Sequence, residues 1–382
     1  MKKLCFITTV SITVRSFLLP VLSYYAQHTD WELTVVCDHD PLLQQQLPEG
    51  VKYYPISMKR GISPSGIAAC WKMYRFFRKE KFDLVQYSTP NAAFYASIAS
   101  ALAGVPVRLY CQWGMVFVGM QGVKRLIFKT IERLVCLLST WIEPDSHGNL
   151  EFCRRQKLYS STKSSVIWNG SAAGVNLAKF DIAQKSDWRQ KIRTEYNIDE
   201  KAFVYGFVGR INGDKGINEL FTAFQRILRK HPQRYLMLVG NPEISGSVDP
   251  ALYNWAQNSS QVLFCGYTDA VEQYLSAMDV YILPSYREGF GSGVIEAEAM
   301  GVPVIVTDIP GPTNAMVPNV TGLVVPKQDV SALYESMMRL PAQIDLCKSF
   351  GEAGFRFATE KFEQRALCHH ILRDRKHLLG ER

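Results

Sequence analysis

Twice along this chain, short β-branched runs alternate with helical patterns, and that double alternation limits the fold more than any other feature. Residues 4–10, 33–37, 84–87 and 107–111 read as strands of a first series, and 203–208, 236–239, 262–265, 280–283 and 304–306 as a second. Strands separated by helix-length segments pair in parallel through crossover helices. The clearest helix spans 217–228, where Ile217, Leu220, Phe221, Phe224 and Leu228 recur at the spacing of a face laid on a sheet. Between the series, residues 169–180 lose periodicity and gather turn formers, which marks a linker. A length of 382 residues exceeds one ordinary core and suits two domains. The predicted class is α/β, with domains at 1–172 and 173–362 and a last helical stretch, 363–382, returning to the first. No residue-level repeat links the halves. Tandem domains of this kind are expected to face each other across a cleft lined by the carboxyl ends of their strands, where α/β folds bind ligands.

With 47% hydrophobic and 20% charged residues, the composition is that of a folded protein and not of a disordered one. The nine cysteines are odd in number and form no C-x-x-C pair, the usage of reduced thiols in the cytoplasm. Met1-Lys2-Lys3 followed by an apolar run has the look of a leader, but Arg15 interrupts it and no small-residue cleavage site follows, so the run reads as the first strand. No stretch reaches the roughly 18 uncharged apolar residues of a spanning helix. A cytoplasmic protein is expected, peripheral at most on the inner face of a membrane. The net charge of +8 is unevenly spread: residues 1–175 hold 20 Lys and Arg against 11 Asp and Glu, and the remainder 23 against 24. On charge alone the basic half suits membrane phospholipid, nucleic acid or phosphorylated lipid, or nothing beyond solvated helix faces.

Two segments of the second half carry chemistry. A strand ending in Val208-Gly209-Arg210 runs through Ile211-Asn212-Gly213-Asp214-Lys215-Gly216 into the 217–228 helix, which brings two cations and a helix start to one place. Arg offers a planar donor fork and Lys a mobile point charge, a pair suited to a diphosphate; a surface turn with solvated charges is the plain alternative. Farther on, the apolar run 280–283 leads through Pro284 and Ser285 to Glu288, then Gly289, Phe290, Gly291, Ser292, Gly293 and Val294, and a helix bearing Glu296. The two carboxylates can each accept hydrogen bonds from vicinal hydroxyls, as in a sugar or a ribose. Between them the amides of residues 290–294 open a helix, where phosphate is stabilised by unpaired N–H groups and aligned dipoles.

These residues resemble glycosyltransferase family 4, a retaining family of the GT-B fold with two Rossmann-like domains. Its mark is Glu, seven residues, Glu, an Ala-rich helix and Gly-x-Pro-Val, here Glu288 to Glu296, Ala297-Glu298-Ala299-Met300 and Gly301-Val302-Pro303-Val304. Gly209-Arg210 and Lys215-Gly216 match the family's other donor motif. Within the family the chain is most similar to bacterial enzymes that build cell-surface polysaccharide or lipid-linked oligosaccharide. The resemblance implies a nucleotide-sugar donor, with uridine diphosphate expected, and a membrane-borne glycan or polyprenyl-linked acceptor. It implies that Arg210 and Lys215 contact the donor diphosphate, Glu288 the sugar hydroxyls and Glu296 the ribose, with Gly289, Phe290 and Gly291 presenting amides to sugar and phosphate. Glu298 is expected to be a solvated helix residue. Tyr267 is either close to the base or a core tyrosine. The implied reaction is front-face attack, in which the departing phosphate oxygen takes the acceptor's proton; no protein base, resident cofactor or metal is called for, and no nucleic acid partner is expected.

The first half departs from the family. Ser11-Ile12-Thr13-Val14 replaces a Gly-rich loop, Gln86 and Ser88 stand where relatives often carry histidines, and Asn314 follows Gly311 where a Glu is common. Tyr110-Cys111-Gln112-Trp113 occupies the region of an acceptor-side histidine, so Gln112 and Trp113 are the candidates to line the acceptor pocket. A sugar-nucleotide epimerase of the same fold, or a donor-binding partner without catalysis, stays open beside transfer. Asp38-His39-Asp40 matches a metal-holding D-x-D but follows a strand of the other domain. Gly289-x-Gly291-x-Gly293 lacks the sixth-place Gly or Ala of a dinucleotide site, because Val294 sits there, and no opening βαβ unit carries it. Finally, 123–138 is amphipathic, with Val123, Leu126, Ile127, Ile131, Leu134 and Leu138 on one side and Lys124, Arg125, Lys129 and Arg133 opposite. Lys72, Arg75, Arg78 and Lys79 add to the basic charge. Such a helix either lies on an anionic bilayer or covers the first sheet with its apolar stripe.

Overall fold

The structure, a computed structural model, describes residues 1–58, 64–244 and 247–381. It divides into two compact units: Met1–Ala173 together with the tail from Gln364, and Gly174–Glu363. The last residue of the predicted tail, Arg382, lies outside the described residues.

In the first unit, β1 (Lys3–Ile7), β2 (Glu32–Val36), β3 (Lys52–Tyr53), β4 (Leu84–Tyr87), β5 (Val107–Gln112) and β6 (Trp141–Pro144) form one parallel sheet in the order β3-β2-β1-β4-β5-β6. In the second, β7 (Val204–Val208), β8 (Tyr235–Val239), β9 (Val262–Gly266), β10 (Val280–Leu283), β11 (Val304–Thr307) and β12 (Gly322–Val325) form another, in the order β12-β11-β10-β7-β8-β9. Started from β9, the second order is the same winding as the first. In each sheet the order reverses beside its first strand, between β1 and β4 and between β7 and β10. Crossovers leave to opposite sides there, which opens a crevice at the carboxyl ends of the strands. β1 stops at Ile7, short of the predicted residue 10, and beyond it Thr9 is tied across this crevice: its amide donates to Thr89 Oγ1 at 2.8 Å.

The Ile217–Leu228 helix buries Ile217, Leu220, Phe221, Ala223, Phe224 and Ile227 on the second sheet, the face its spacing predicts. One side of the first sheet is covered by the Leu19–His28 helix and the tail helix Gln364–Leu378, through Leu18, Val21, Leu22 and Tyr25 against Leu367, Cys368, Ile371 and Leu372. The tail also sends Arg375, 1% exposed, to Glu143 on β6: Nη1 donates to Oε2 at 2.5 Å and Nη2 to Oε1 at 3.0 Å. The other side is covered by the Pro64–Glu80, Pro90–Ala103 and Gly122–Leu138 helices. Pro90 opens the second of these at a position that needs no N–H, and Gly104 ends it at φ 72°.

The Gly122–Leu138 helix separates the two readings of its apolar stripe. It meets the core through Phe128, Val135, Cys136 and the carboxylate of Glu132. The apolar stripe faces outward instead of covering the sheet: Val123 is 73%, Leu126 63%, Ile127 50% and Leu137 74% exposed. All nine cysteines are free. Among the described residues no helix is long and apolar enough to cross a membrane.

Candidate active site

The second unit's crevice is built from the loops after β7 and β10. Gly216, at φ 69°, sits where the two loops touch; a Cβ there would collide with the carbonyl oxygen of Pro284. This contact lets Lys215 reach across. Its Nζ pairs with Glu288 Oε1 at 2.5 Å, and Ser285 Oγ, fully buried, donates to the same oxygen at 2.7 Å. Glu288 is therefore held from two sides and its side chain is 13% exposed. Beneath lies Tyr281 of β10, buried, with its phenol's pKa raised by desolvation first and then by both Glu288 and Glu296. Gly293 lies against that phenol, since a Cβ on it would strike Tyr281 Oη.

The Ser292–Ala299 helix starts at Gly291, whose φ of 86° turns the chain into the helix without strain on a side chain. The first amides of a helix have no intrahelical acceptor, so those of Ser292 and Gly293 are of the kind that can take up an anion. Val294 does not join them: its N–H donates to Gly291 O at 2.8 Å and its side chain is core. Phe290 likewise contributes only its backbone, because its ring packs on Phe362 with centroids 5.2 Å apart. Gly289 is in tight contact with Gly311, which adopts φ 101° where a Cβ would meet the Gly289 carbonyl.

Glu296, one turn inside the helix, has its pKa pushed up to about 7, by burial first, with Lys179 pulling it down and Glu272 pushing it up. Lys179 Nζ lies 3.7 Å from Glu272 Oε2 and donates to Asp269 O at 2.6 Å. Lys179, Glu272, Tyr281 and Ser285 were not singled out from the sequence. Lys179 falls in the linker, Glu272 and Tyr281 in ordinary apolar elements, and nothing local marks them. Glu298, expected in solvent, is fully buried and its carboxyl's pKa is raised by burial. Helix spacing explains this: Glu298 points to the Ile344–Phe362 helix, where Gly354 lies against it. Tyr267 is 58% exposed, not core, and donates to Asp269 at 2.7 Å.

Arg210 stands at the end of β7 with a half-exposed guanidinium paired to Glu243 at 2.8 Å. The structure thus joins Lys215 to Glu288 directly and leaves Arg210 on a separate carboxylate.

In the first unit, Gln112 does not line a pocket. It is 1% exposed, its Nε2 donates to Glu132 at 2.5 Å, and its Oε1 accepts from Tyr159 Oη at 3.1 Å. A side chain at the end of a strand points to one face or the other, and here the core's buried carboxylate claims it. Trp113, on the opposite face, is half-buried with its ring 5.3 Å from Phe17. The crevice between β1 and β4 is instead lined by Thr9, Thr89 and Ser88, whose Oγ is buried without a hydrogen-bond partner among the described residues. Asp38 and Asp40 serve the local chain: Asp38 accepts from Ser11 N and Asp40 pairs with Arg15, each at 2.7 Å.

The glycosyl transferases group 1 pattern matches residues 189–357 and a glycosyl transferase 4-like domain matches 22–138. The capsular polysaccharide biosynthesis glycosyltransferase CapM of Staphylococcus aureus is 31% identical over 315 residues, 82% of this chain and 81% of that protein. The UDP-Gal:alpha-D-GlcNAc-diphosphoundecaprenol alpha-1,3-galactosyltransferase of Escherichia coli is 26% identical over 323 residues, 81% of this chain and 80% of that one. Among solved structures, Anabaena HepE in complex with UDP and glucose is similar with a TM-score of 0.79 at 17% identity, covering 98% of this chain and 100% of that one. The two parallel α/β units are of the GT-B class, and the chain belongs to the group 1, family 4-like glycosyltransferases.

Proposed function

We propose that this glycosyltransferase moves a sugar from a uridine diphosphate sugar to a lipid-linked glycan at a membrane surface, with retention at the anomeric carbon, in cell-surface polysaccharide synthesis. The observation that carries the reading is the Lys215–Glu288 pair, 2.5 Å apart at the reversal of strand order, beside the helix start that leads to Glu296. In this reading Glu288, fixed by Ser285, accepts from the transferred sugar's hydroxyls, and Glu296 from the ribose. Lys215, the amides of Ser292 and Gly293, and Arg210 once released from Glu243 face the diphosphate. The names of the similar proteins support the choice of UDP and of a diphosphoundecaprenol-type acceptor.

The bond from the anomeric carbon to the phosphate oxygen breaks while the acceptor oxygen bonds to the same face. The acceptor's proton passes to the departing phosphate oxygen. Negative charge grows on the diphosphate, so cations and amides aimed at it act more strongly in the transition state than before it. These groups supply the countercharge from the protein itself, and the proposal includes no resident metal.

The test is UDP release from a panel of UDP-sugars with a lipid extract as acceptor, in the presence of EDTA. Transfer should need the acceptor, and the product should keep the donor's anomeric configuration by NMR. Lys215→Ala and Glu288→Ala should each lower kcat/KM about 100-fold or more, the usual effect of removing one preorganised electrostatic group. Inverted product, or wild-type rates in both variants, would overturn the assignment; epimerised free sugar without acceptor would favour an epimerase.

A further inference from the structure

Among the described residues, the outward apolar stripe of the Gly122–Leu138 helix has no partner. Val123, Leu126, Ile127, Leu134 and Leu137 repeat at helical spacing along about 25 Å of helix, at 1.5 Å per residue. A contiguous exposed apolar face of this size on a folded protein marks an interaction surface.

Its charge says which kind. By helical spacing Lys124 borders the stripe on one side and Lys129 and Arg133 on the other, and the sole carboxylate in the helix, Glu132, is turned into the core, where Tyr110 Oη donates to it at 2.9 Å. Every charge this helix shows outward is positive. Two cations are also braced: Lys129 Nζ donates to Gln156 at 2.6 Å, and Arg125 sits 5.7 Å from the Phe117 ring centroid. On the neighbouring side of the same sheet face, the Pro64–Glu80 helix exposes Ile67 and Trp71 beside Lys72, Arg75 and Arg78. Apolar side chains flanked by cations, with an aromatic nearby, match the boundary between acyl chains and anionic headgroups. A protein partner that buried this stripe would need carboxylates on both flanks, whereas an anionic bilayer supplies apolar depth and negative charge together.

We infer that the Gly122–Leu138 helix seats the first unit on an anionic lipid bilayer, with its apolar stripe in the acyl boundary and its cations among the headgroups. The inference rests on the reading of a lipid-linked acceptor for its purpose: it fixes the first unit at the level where such an acceptor's headgroup emerges.

The test uses the full-length protein and sucrose-loaded vesicles with no sugar nucleotide or acceptor, so it can fail or succeed independently of the transfer reaction. Wild type should co-sediment with phosphatidylglycerol-containing vesicles, weakly with phosphatidylcholine, and lose binding as salt rises. Leu126→Ser with Leu137→Ser should weaken binding at least tenfold. Lys124→Gln with Arg133→Gln should weaken it about 30-fold, at about 1 kcal/mol per cation. All four residues are solvent-facing, and an unchanged thermal midpoint confirms folding. Equal binding by wild type and the Ser pair, or equal binding to both vesicle types, overturns the inference. So does a wild-type dimer that the Ser pair converts to monomer without any vesicle binding.

Discussion

Glu296→Gln should stabilise the second unit far more at alkaline than at acidic pH. In the folded protein burial moves this carboxyl from its ordinary 4.5 to about 7. The folded state thus holds a proton that the unfolded chain has released. The sign follows: the proton's contribution to stability is fully present below pH 4.5 and is lost as pH rises through about 7. At 1.36 kcal/mol per pH unit, the full displacement is about 3 kcal/mol, of which about 2 to 3 kcal/mol falls between pH 5 and pH 8. Gln keeps the shape and cannot ionise, so its variant escapes that loss. Glu132, Glu143 and Glu298 also have raised values through burial, but they are common to both proteins and cancel in the difference. Urea unfolding at about pH 5 and about pH 8, following the transition of the second unit, measures it. The gain from Glu296→Gln should be larger at the higher pH by about 2 to 3 kcal/mol. An increment that is equal at both values would refute the reasoning from burial. Under the proposed ribose contact, UDP binding should also tighten about tenfold from pH 6 to pH 8 in wild type as the carboxylate forms, and lose that part of its pH dependence in the variant.

Gly216→Ala, which forces a Cβ into the Pro284 carbonyl at a positive φ, should cost about 2 to 4 kcal/mol of stability and separate Lys215 from Glu288. Denaturation and UDP calorimetry would show both losses, and a change under 1 kcal/mol would argue against the close contact. Arg375→Met, which strands Glu143 in the first core, should destabilise that unit by about 3 to 5 kcal/mol, read from its urea midpoint.

The inner strands of both sheets were legible because they are buried on both sides, and one edge strand, β9, was legible too. The three unpredicted strands, β3, β6 and β12, all lie at sheet edges. β3 is two residues long, β6 carries Glu143 and Pro144, and β12 begins at Gly322. Edge strands need no continuous apolar run, and a Pro there breaks no ladder on its open side. Their pattern is therefore too weak to read. The donor grip was legible because loop residues at a strand-order reversal are close in sequence to the helix they open: Glu288 and Glu296 share one loop and one helix. Ser285 and Lys179 became visible only once β7, β10 and the 174–184 segment were placed side by side. The Gly122–Leu138 helix shows a further limit. Periodicity reveals that a helix has two faces, but burial alone says which one looks inward, and here a carboxylate and a glutamine claimed the inner side.

The ion pair between Arg375 and Glu143 joins residues 232 apart, and that separation has a meaning in time. The strand bearing Glu143 is made early, and its counter-ion arrives only after the whole second unit has been synthesised. At about 5 to 20 residues per second, the interval is roughly 10 to 50 s. Throughout it the first sheet holds a carboxyl that burial would penalise, with one side only partly covered. The second unit, continuous from Gly174 to Glu363, can close before the first. The unit that starts first finishes last, and a product that stops short of Arg375 would be released with its opening half incomplete.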